Sequence, residues 1–181
     1  VKFTELALGG AYLIEPEPIE DHRGFFARAY CRREFAGHGI DIDWVQCNIA
    51  YSTHRHTLRG LHYQKPPHGE PKLMRVTSGA AHAVIVDLRP GSPAYLRHAA
   101  VGLSAANRYL LFIPEGLAAG YLTLEPETEI FYMMGAFYAP DYSAGFRWDD
   151  PAFNINWPAE PQVISPRDAN YPDFATQEQV R

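Results

Sequence analysis

The sequence predicts an all-β chain, an antiparallel sandwich or barrel, and three observations carry that expectation. About ten short runs show the strand signature of β-branched and aromatic residues with period-2 alternation. Clusters of turn residues separate them at close intervals. The chain holds 11 Tyr, 10 Phe, 14 Gly and 15 Pro, a composition that suits many short strands and tight turns better than long helices.

Taken in order, the runs are "AYLIEP" (11–16), "GFFARAY" (24–30), "WVQCNIAYS" (44–52), "LRGLHYQ" (58–64), "KLMRVTSG" (72–79) and "AAHAVIVDLR" (80–89). They continue with "YLRHAAVGL" (95–103), "RYLLFIP" (108–114), "GYLTLEP" (120–126) and "TEIFYMMGAFY" (128–138). "KPPHGEP", "RPGSPA", "IPEG", "EPET" and "APDYSAG" are the turns between them. In the run at 80–89, Ala83, Ile85 and Asp87 alternate with Val84, Val86 and Leu88, as a sheet requires. Only "CRREFAGHG" (31–39) reads as a short helix, ended by Gly37 or Gly39. Such regular succession of short strands is the pattern of a sandwich or barrel.

With 181 residues, of which 46% are hydrophobic, the chain can bury one full core but not comfortably two. No composition break, repeat or low-complexity tract divides it, so one domain over 1–181 is expected. Its irregular Pro-rich tail, from Trp157 onward, should pack across the barrel. A net charge of −5 argues against a nucleic-acid partner, which needs a basic field, but leaves room for a nucleotide held by a few local cations. Cys31 and Cys47 are too few for a disulfide framework and sit in no zinc motif, so free thiols in a reducing cytoplasm are expected. No signal peptide is read at the N-terminus, and no apolar run approaches the ~20 residues of a membrane helix.

The chemistry turns on "LRGLHYQ", which crowds Arg59, His62 and Gln64 into one strand. His62 taken alone reads first as a packed core histidine, with a metal ligand or a general base as the alternatives, the last because an ordinary pKa near 6.5 suits proton transfer. A metal is not expected. His54 and His56 are spaced as in metal-binding cupins, but no Glu follows them and Ala119 stands where the late His belongs, so three or four ligands do not converge. They read as loop residues. There is no nucleophile elbow, Cys–His arrangement or phosphate loop, and Asp149 and Asp150 read as turn residues. What remains is a set of groups on separate strands: His62 as base, a carboxylate to orient it, Tyr132 or Tyr138 as proton donor, Lys72 for an oxyanion, and Arg23 and Arg59 for phosphates.

Longer stretches then point to a family. "DHRGFFARAY", "VQCNIAYS", "LRGLHYQKPPHGEPKLMRV", "VIVDLRPGSP", "IPEGLAAGY", "EIFYMMGAFYAP", "FRWDDPAFNINWP" and "ISPRDA" agree in order and spacing with the dTDP-4-dehydrorhamnose 3,5-epimerases and related sugar-nucleotide epimerases. The chain resembles that family over nearly its full length. The resemblance implies a cupin-type jelly roll with short flanking helices, a metal- and cofactor-free mechanism, and a homodimer in which one subunit's strand completes the other's site. It implies a nucleotide-linked 4-keto-6-deoxyhexose as substrate, with acidic protons on carbons 3 and 5 beside the keto group.

Residue by residue, His62 matches the family's base, Asp168 its orienting carboxylate, Tyr132 the acid and Lys72 the enolate-stabilising group. Arg23, Phe26, Gln46, Asn48 and Arg59 match positions that grip the nucleotide diphosphate, and Tyr138 matches a Tyr beside the sugar. The chain also departs from the pattern. Ala119 replaces a second histidine of the site, Arg28 replaces a glutamate near the nucleotide base, Cys47 replaces an acidic residue, and His82 replaces an Asp. Ala119 bears on how many carbons are inverted, and Arg28 on which base is bound. A single-carbon epimerase, an enzyme for a CDP- or GDP-sugar, and a non-catalytic sugar-nucleotide binder therefore stay open beside the double epimerase.

Overall fold

The computed structural model describes residues 1–175. Its elements are β1 (Lys2–Glu5), β2 (Tyr12–Glu15), β3 (Ile19–Asp21), β4 (Gly24–Phe26), α1 (Arg32–Ala36), β5 (Gln46–Ser52), β6 (Thr57–Gln64) and β7 (Lys72–Ser78). There follow β8 (Ala80–Asp87), β9 (His98–Ser104), β10 (Leu110–Ile113), β11 (Leu117–Thr123), β12 (Thr128–Met134), β13 (Ser143–Gly145), β14 (Val163–Ile164) and α2 (Pro166–Ala169). One sheet runs β1-β2-β10-β7-β12-β5 and the other β13-β6-β11-β8-β9, with β14 added in parallel to β6; β3 and β4 form a separate hairpin. The two large sheets make the expected jelly roll.

The central strands β8 and β10 are buried on both faces, which explains runs such as "LLFI" and "AVIV" that look too apolar for a half-exposed strand. Between the sheets lies a core of Met74, Val76, Ala83, Ile85, Leu111, Ile113 and Ile130. Behind β8, the alternate residues Val84 and Val86 pack under Phe146 and Phe153 and, from the tail, Trp157 and Phe174. Behind β10, Leu110 and Phe112 pack with Phe35 of α1. The tail is pinned as well as packed: Trp157 Nε1 donates to Trp148 O at 2.8 Å, and Phe174 N donates to the buried Asp150 at 2.7 Å. Asp150 is thus a tail anchor, while Asp149 sits in a turn paired with Arg147.

Several predicted boundaries need correction: the run over 128–138 stays a strand only to Met134, and the run from Tyr95 becomes one only at His98. The strand expected over 24–30 stops at Phe26, because its one partner, β3, is three residues long and the ladder ends with it. The strand expected from Gly120 begins at Leu117, since Leu117 and Ala118 already pair with Asp87 and Val86. The helix holds over Arg32–Ala36 and uses both glycines: Gly37 caps it, and Gly39 takes the positive φ of 77° that turns the chain out.

The feature that shapes the site is a β-bulge in β6. Ala119 of β11 opposes His62, and Tyr121 opposes Arg59, so two steps on β11 match three on β6. Strict alternation would put Arg59 and His62 on opposite faces; the extra residue turns both toward the space between the sheets. Gly60 makes this possible. Its φ is +118°, and a Cβ there would lie 2.5 Å from Gly120 Cα.

Candidate active site

A cavity of about 500 Å³ opens between the two sheets, within the usual size range of small-molecule sites. Arg59, His62, Ala119 and Tyr121 line it from one sheet, Lys72, Met74, Ile130 and Tyr132 from the other, and Ser165, Arg167 and Asp168 close its rim.

His62 Nε2 lies 2.7 Å from Asp168 Oδ1. Asp168 comes from α2, whose start is a short-range device: Ser165 Oγ accepts from Asp168 N at 3.1 Å, with Pro166 at the first helical position. The second carboxylate oxygen accepts from Gly60 N at 3.1 Å, an N–H that the bulge frees from the ladder. Burial, which leaves Asp168 4% exposed, works to raise its pKa. The His62 hydrogen bond and charge, the Gly60 N–H and Arg167 outweigh burial and hold the carboxyl below its usual range. An ionised carboxylate accepts only, so Nε2 carries the proton and Nδ1 is left as the basic nitrogen. The His62 side chain is 37% exposed to the open cavity, so a bound molecule would complete its desolvation.

Across the cavity, Lys72 Nζ pairs with Glu70 Oε1 at 2.7 Å, both side chains being largely buried. Tyr132 sits beside Met74 on the same sheet; burial, with a contribution from Glu70, raises its pKa against the pull of Arg59, so it stays a neutral O–H donor. Arg59 reaches across to β5, the edge strand of the opposite sheet, donating to Tyr51 O at 2.9 Å and to Ser52 Oγ at 3.3 Å. Arg167 donates to Ser143 Oγ at 2.9 Å. Among the described residues, no three His, Cys, Asp or Glu side chains are grouped so as to hold a metal ion. His54 and His56 lie in the turn before β6.

The remaining sequence-predicted residues stand apart from this cavity. Arg23 and Phe26 lie on the β3–β4 hairpin, Arg23 paired with Asp21 and Phe26 70% exposed. Arg28 is bound to Glu34 of α1 at 2.6 Å. Gln46 and Asn48, on the edge strand β5, donate to Met134 Sδ, and Gln46 Oε1 accepts from the exposed Tyr138 N–H. Cys31 and Cys47 are free thiols. Asp87 of "VDLR" faces away from the cavity chemistry: wholly buried, it accepts from Arg89 and Ser92 and braces the following turn. A second cavity, about 620 Å³, lies near that turn, but its cation Arg89 is spent on Asp87.

Sequence reasoning missed Glu70, Arg167 and Tyr121. Nothing local marks Glu70 as the partner of Lys72. Arg167 adjoins Asp168 in "SPRDA", and the Ser-Pro-x-Asp helix start was a legible sign that this segment is ordered.

Comparison with known proteins places the whole chain. The family model for dTDP-4-dehydrorhamnose 3,5-epimerase matches residues 5–176. A dTDP-4-dehydrorhamnose 3,5-epimerase from Methanothermobacter thermautotrophicus is 41% identical over 174 residues, covering 94% of this chain and 92% of that one. The crystal structure of a Bacillus anthracis dTDP-4-dehydrorhamnose 3,5-epimerase, with TDP and pyrophosphate bound, superposes with a TM-score of 0.92 at 37% identity, covering 96% of this chain and 99% of that one. A 3'-monoepimerase from Streptomyces bikiniensis in complex with dTDP-quinovose gives 0.89 at 32% identity, covering 97% and 89%. With its family model matched almost end to end, the chain belongs to the dTDP-4-dehydrorhamnose 3,5-epimerase family.

Proposed function

We propose that the protein is an epimerase of a dTDP-linked 4-keto-6-deoxyhexose, working as one jelly-roll domain and inverting carbon 3, carbon 5 or both. One observation carries the reading: an oriented base, His62–Asp168, faces an acid, Tyr132, and a cation, Lys72, from the opposite sheet of one cavity. A sugar between the sheets has the base on one face and the acid on the other, which is what inversion requires.

His62 Nδ1 takes the proton from a carbon beside the keto group, and the electron pair moves onto the keto oxygen. Lys72 stabilises the resulting enolate electrostatically. Asp168 balances the imidazolium that forms. Tyr132 then gives its proton to the opposite face of the carbon and is reprotonated from solvent. No step calls on a metal or cofactor.

The nucleotide is held, in this reading, by Arg59 together with Arg23, Phe26, Gln46 and Asn48, with Tyr138 near the sugar and Arg28 near the base. Because the hairpin residues stand outside their own cavity, we infer a homodimer in which one subunit's hairpin reaches the other's site. Ile19, Phe25 and Phe26 on the hairpin and Ile49 and Tyr51 on the edge strand are exposed apolar groups suited to such a contact. Two free cysteines accord with a cytoplasmic enzyme. A second reading, epimerisation at one carbon, is favoured by Ala119: it lies directly opposite His62 and offers no hydrogen-bond donor to the sugar. Incubating the protein with dTDP-4-keto-6-deoxyglucose in deuterated water and following both carbons by NMR tests both readings; no deuterium at either carbon would refute the first, and fast incorporation at both would refute the second.

A further inference from the structure

The hydrogen bond to Asp168 fixes His62 at Nε2, while the nitrogen left to take a proton is Nδ1. A ring tied at its Cβ and at Nε2 can still swing about the line joining them, and Nδ1 lies off that line. The swing moves the basic nitrogen relative to the carbon it must reach, and a misplacement of about 1 Å costs about 10²-fold in rate. In a sheet, the side chains directly opposite ordinarily brace such a ring. Opposite His62 stand Ala119 on β11 and Gly145 on β13, which offer a methyl group and nothing.

Tyr171 fills the side that Gly145 leaves empty. Its ring lies 6.2 Å from that of His62, centre to centre, at 69°, an edge contact inside the range of about 4.5–7 Å for aromatic pairs. A Cβ on Gly145 would lie 2.5 Å from Tyr171 Cζ and 2.6 Å from Leu61 O, so the bare backbone makes room for the ring. Arg167 lies over the Tyr171 ring, 5.7 Å from its centre, and is itself bonded to Ser143 Oγ. Tyr171 does not line the reaction cavity, so it meets the base from outside. It follows Asp168 by three residues, just past α2, where Asn170 Nδ2 donates back to Pro166 O at 2.6 Å. One short segment thus delivers a carboxylate to Nε2 and an aromatic wall to the flank of the same imidazole.

We propose that Tyr171 is a positioning residue that aims the His62 ring, as Asp168 sets its tautomer. It acts through His62 alone, by stopping the swing that the single hydrogen bond allows. The ring does this work, not the hydroxyl. The inference rests on the reading of His62 as the base.

The test compares Tyr171→Leu, which is apolar but lacks the ring, with Tyr171→Phe, which keeps it. Deuterium exchange at saturating dTDP-4-keto-6-deoxyglucose, dTDP affinity and Tm are measured on each. Tyr171→Leu is expected to slow saturated exchange about 10- to 100-fold with dTDP affinity within about twofold. Tyr171→Phe should stay within about threefold of the unaltered protein in both. Loosening of α2 would imitate this result by displacing Asp168, so Asp168→Asn is added to each background. At neutral pH it should lower Tm as much in the Tyr171→Leu protein as in the unaltered one. Full exchange by Tyr171→Leu, equal losses in the two variants, a loss confined to dTDP affinity, or no Tm change from Asp168→Asn beside Tyr171→Leu would each overturn the proposal. If Tyr171→Leu exchanges normally while His62→Ala does not, the wall fails and the base reading stands. If His62→Ala exchanges as fast as the unaltered protein, both fall.

Discussion

The cavity wall and the β3–β4 hairpin hold the same kinds of residue in opposite states. On the wall, His62, Asp168 and Lys72 are each locked to a partner, and those partners are themselves buried or bonded. On the hairpin, Arg23 pairs with Asp21 two residues away, and Phe25 and Phe26 are exposed. The difference teaches where each task is built. Proton transfer needs groups held to a fraction of an ångström, and one chain's core supplies that. Gripping a nucleotide tolerates a surface element, and in the proposed dimer that element serves the neighbouring subunit.

The comparison breaks most visibly at His62. Replacing it with Ala should cut exchange of carbon-bound protons by about 10³-fold or more while dTDP affinity stays within about twofold; titration and NMR exchange on the same protein measure both. Asp168→Asn should cost less, on the order of 10²-fold, because the base remains while its tautomer and the balance of its charge are lost. The linkage sign is fixed by the lowered Asp168 pKa. Its stabilising contribution is complete above the ordinary carboxylate value of about 4 and fades as pH falls through the lowered one. The Tm gap between the unaltered protein and Asp168→Asn should therefore be widest near neutrality and close in acid.

The hairpin side predicts the reverse pattern. Arg23→Ala should weaken dTDP about 10-fold or more, the worth of a charged hydrogen bond, while exchange at saturating substrate changes by only a few-fold. A large loss in saturated turnover with intact affinity would place Arg23 on the wrong side of the comparison. A smaller effect is expected at Ala119. Introducing His there should raise exchange at the slower carbon by about 10-fold if the missing donor limits it; no change would move attention to Arg28. Thorough chelation should leave turnover as it was, and activity restored by one divalent ion would contradict the mechanism.

Much of this was legible in the sequence, for physical reasons. Strand periodicity and turn residues announce an all-β fold because side chains alternate and glycines mark bends, as β8 shows with its two differently buried faces. The motif "LRGLHYQ" announced an unusual strand, but not how it works. That Arg59 and His62 share a face depends on a bulge at Gly60, which no alternation rule reveals. Asp168 lies 106 residues from His62, and their contact comes from α2 docking on β6, a tertiary event. The Lys72–Glu70 pair and the Tyr171 contact with His62 were invisible because both depend on what burial leaves beside them. "VDLR" shows the converse: a family motif whose Asp87 supports a turn and touches no part of the reaction cavity.

The central claim, that His62 removes a proton from carbon beside the keto group, is tested most directly by deuterium. The unaltered protein and His62→Ala are each incubated with dTDP-4-keto-6-deoxyglucose in deuterated water, and carbons 3 and 5 are followed by NMR. The account predicts solvent deuterium at one or both carbons with the unaltered protein, slower at one of them, and none above background with the variant. Undiminished exchange by His62→Ala, or none by the unaltered protein, would contradict it.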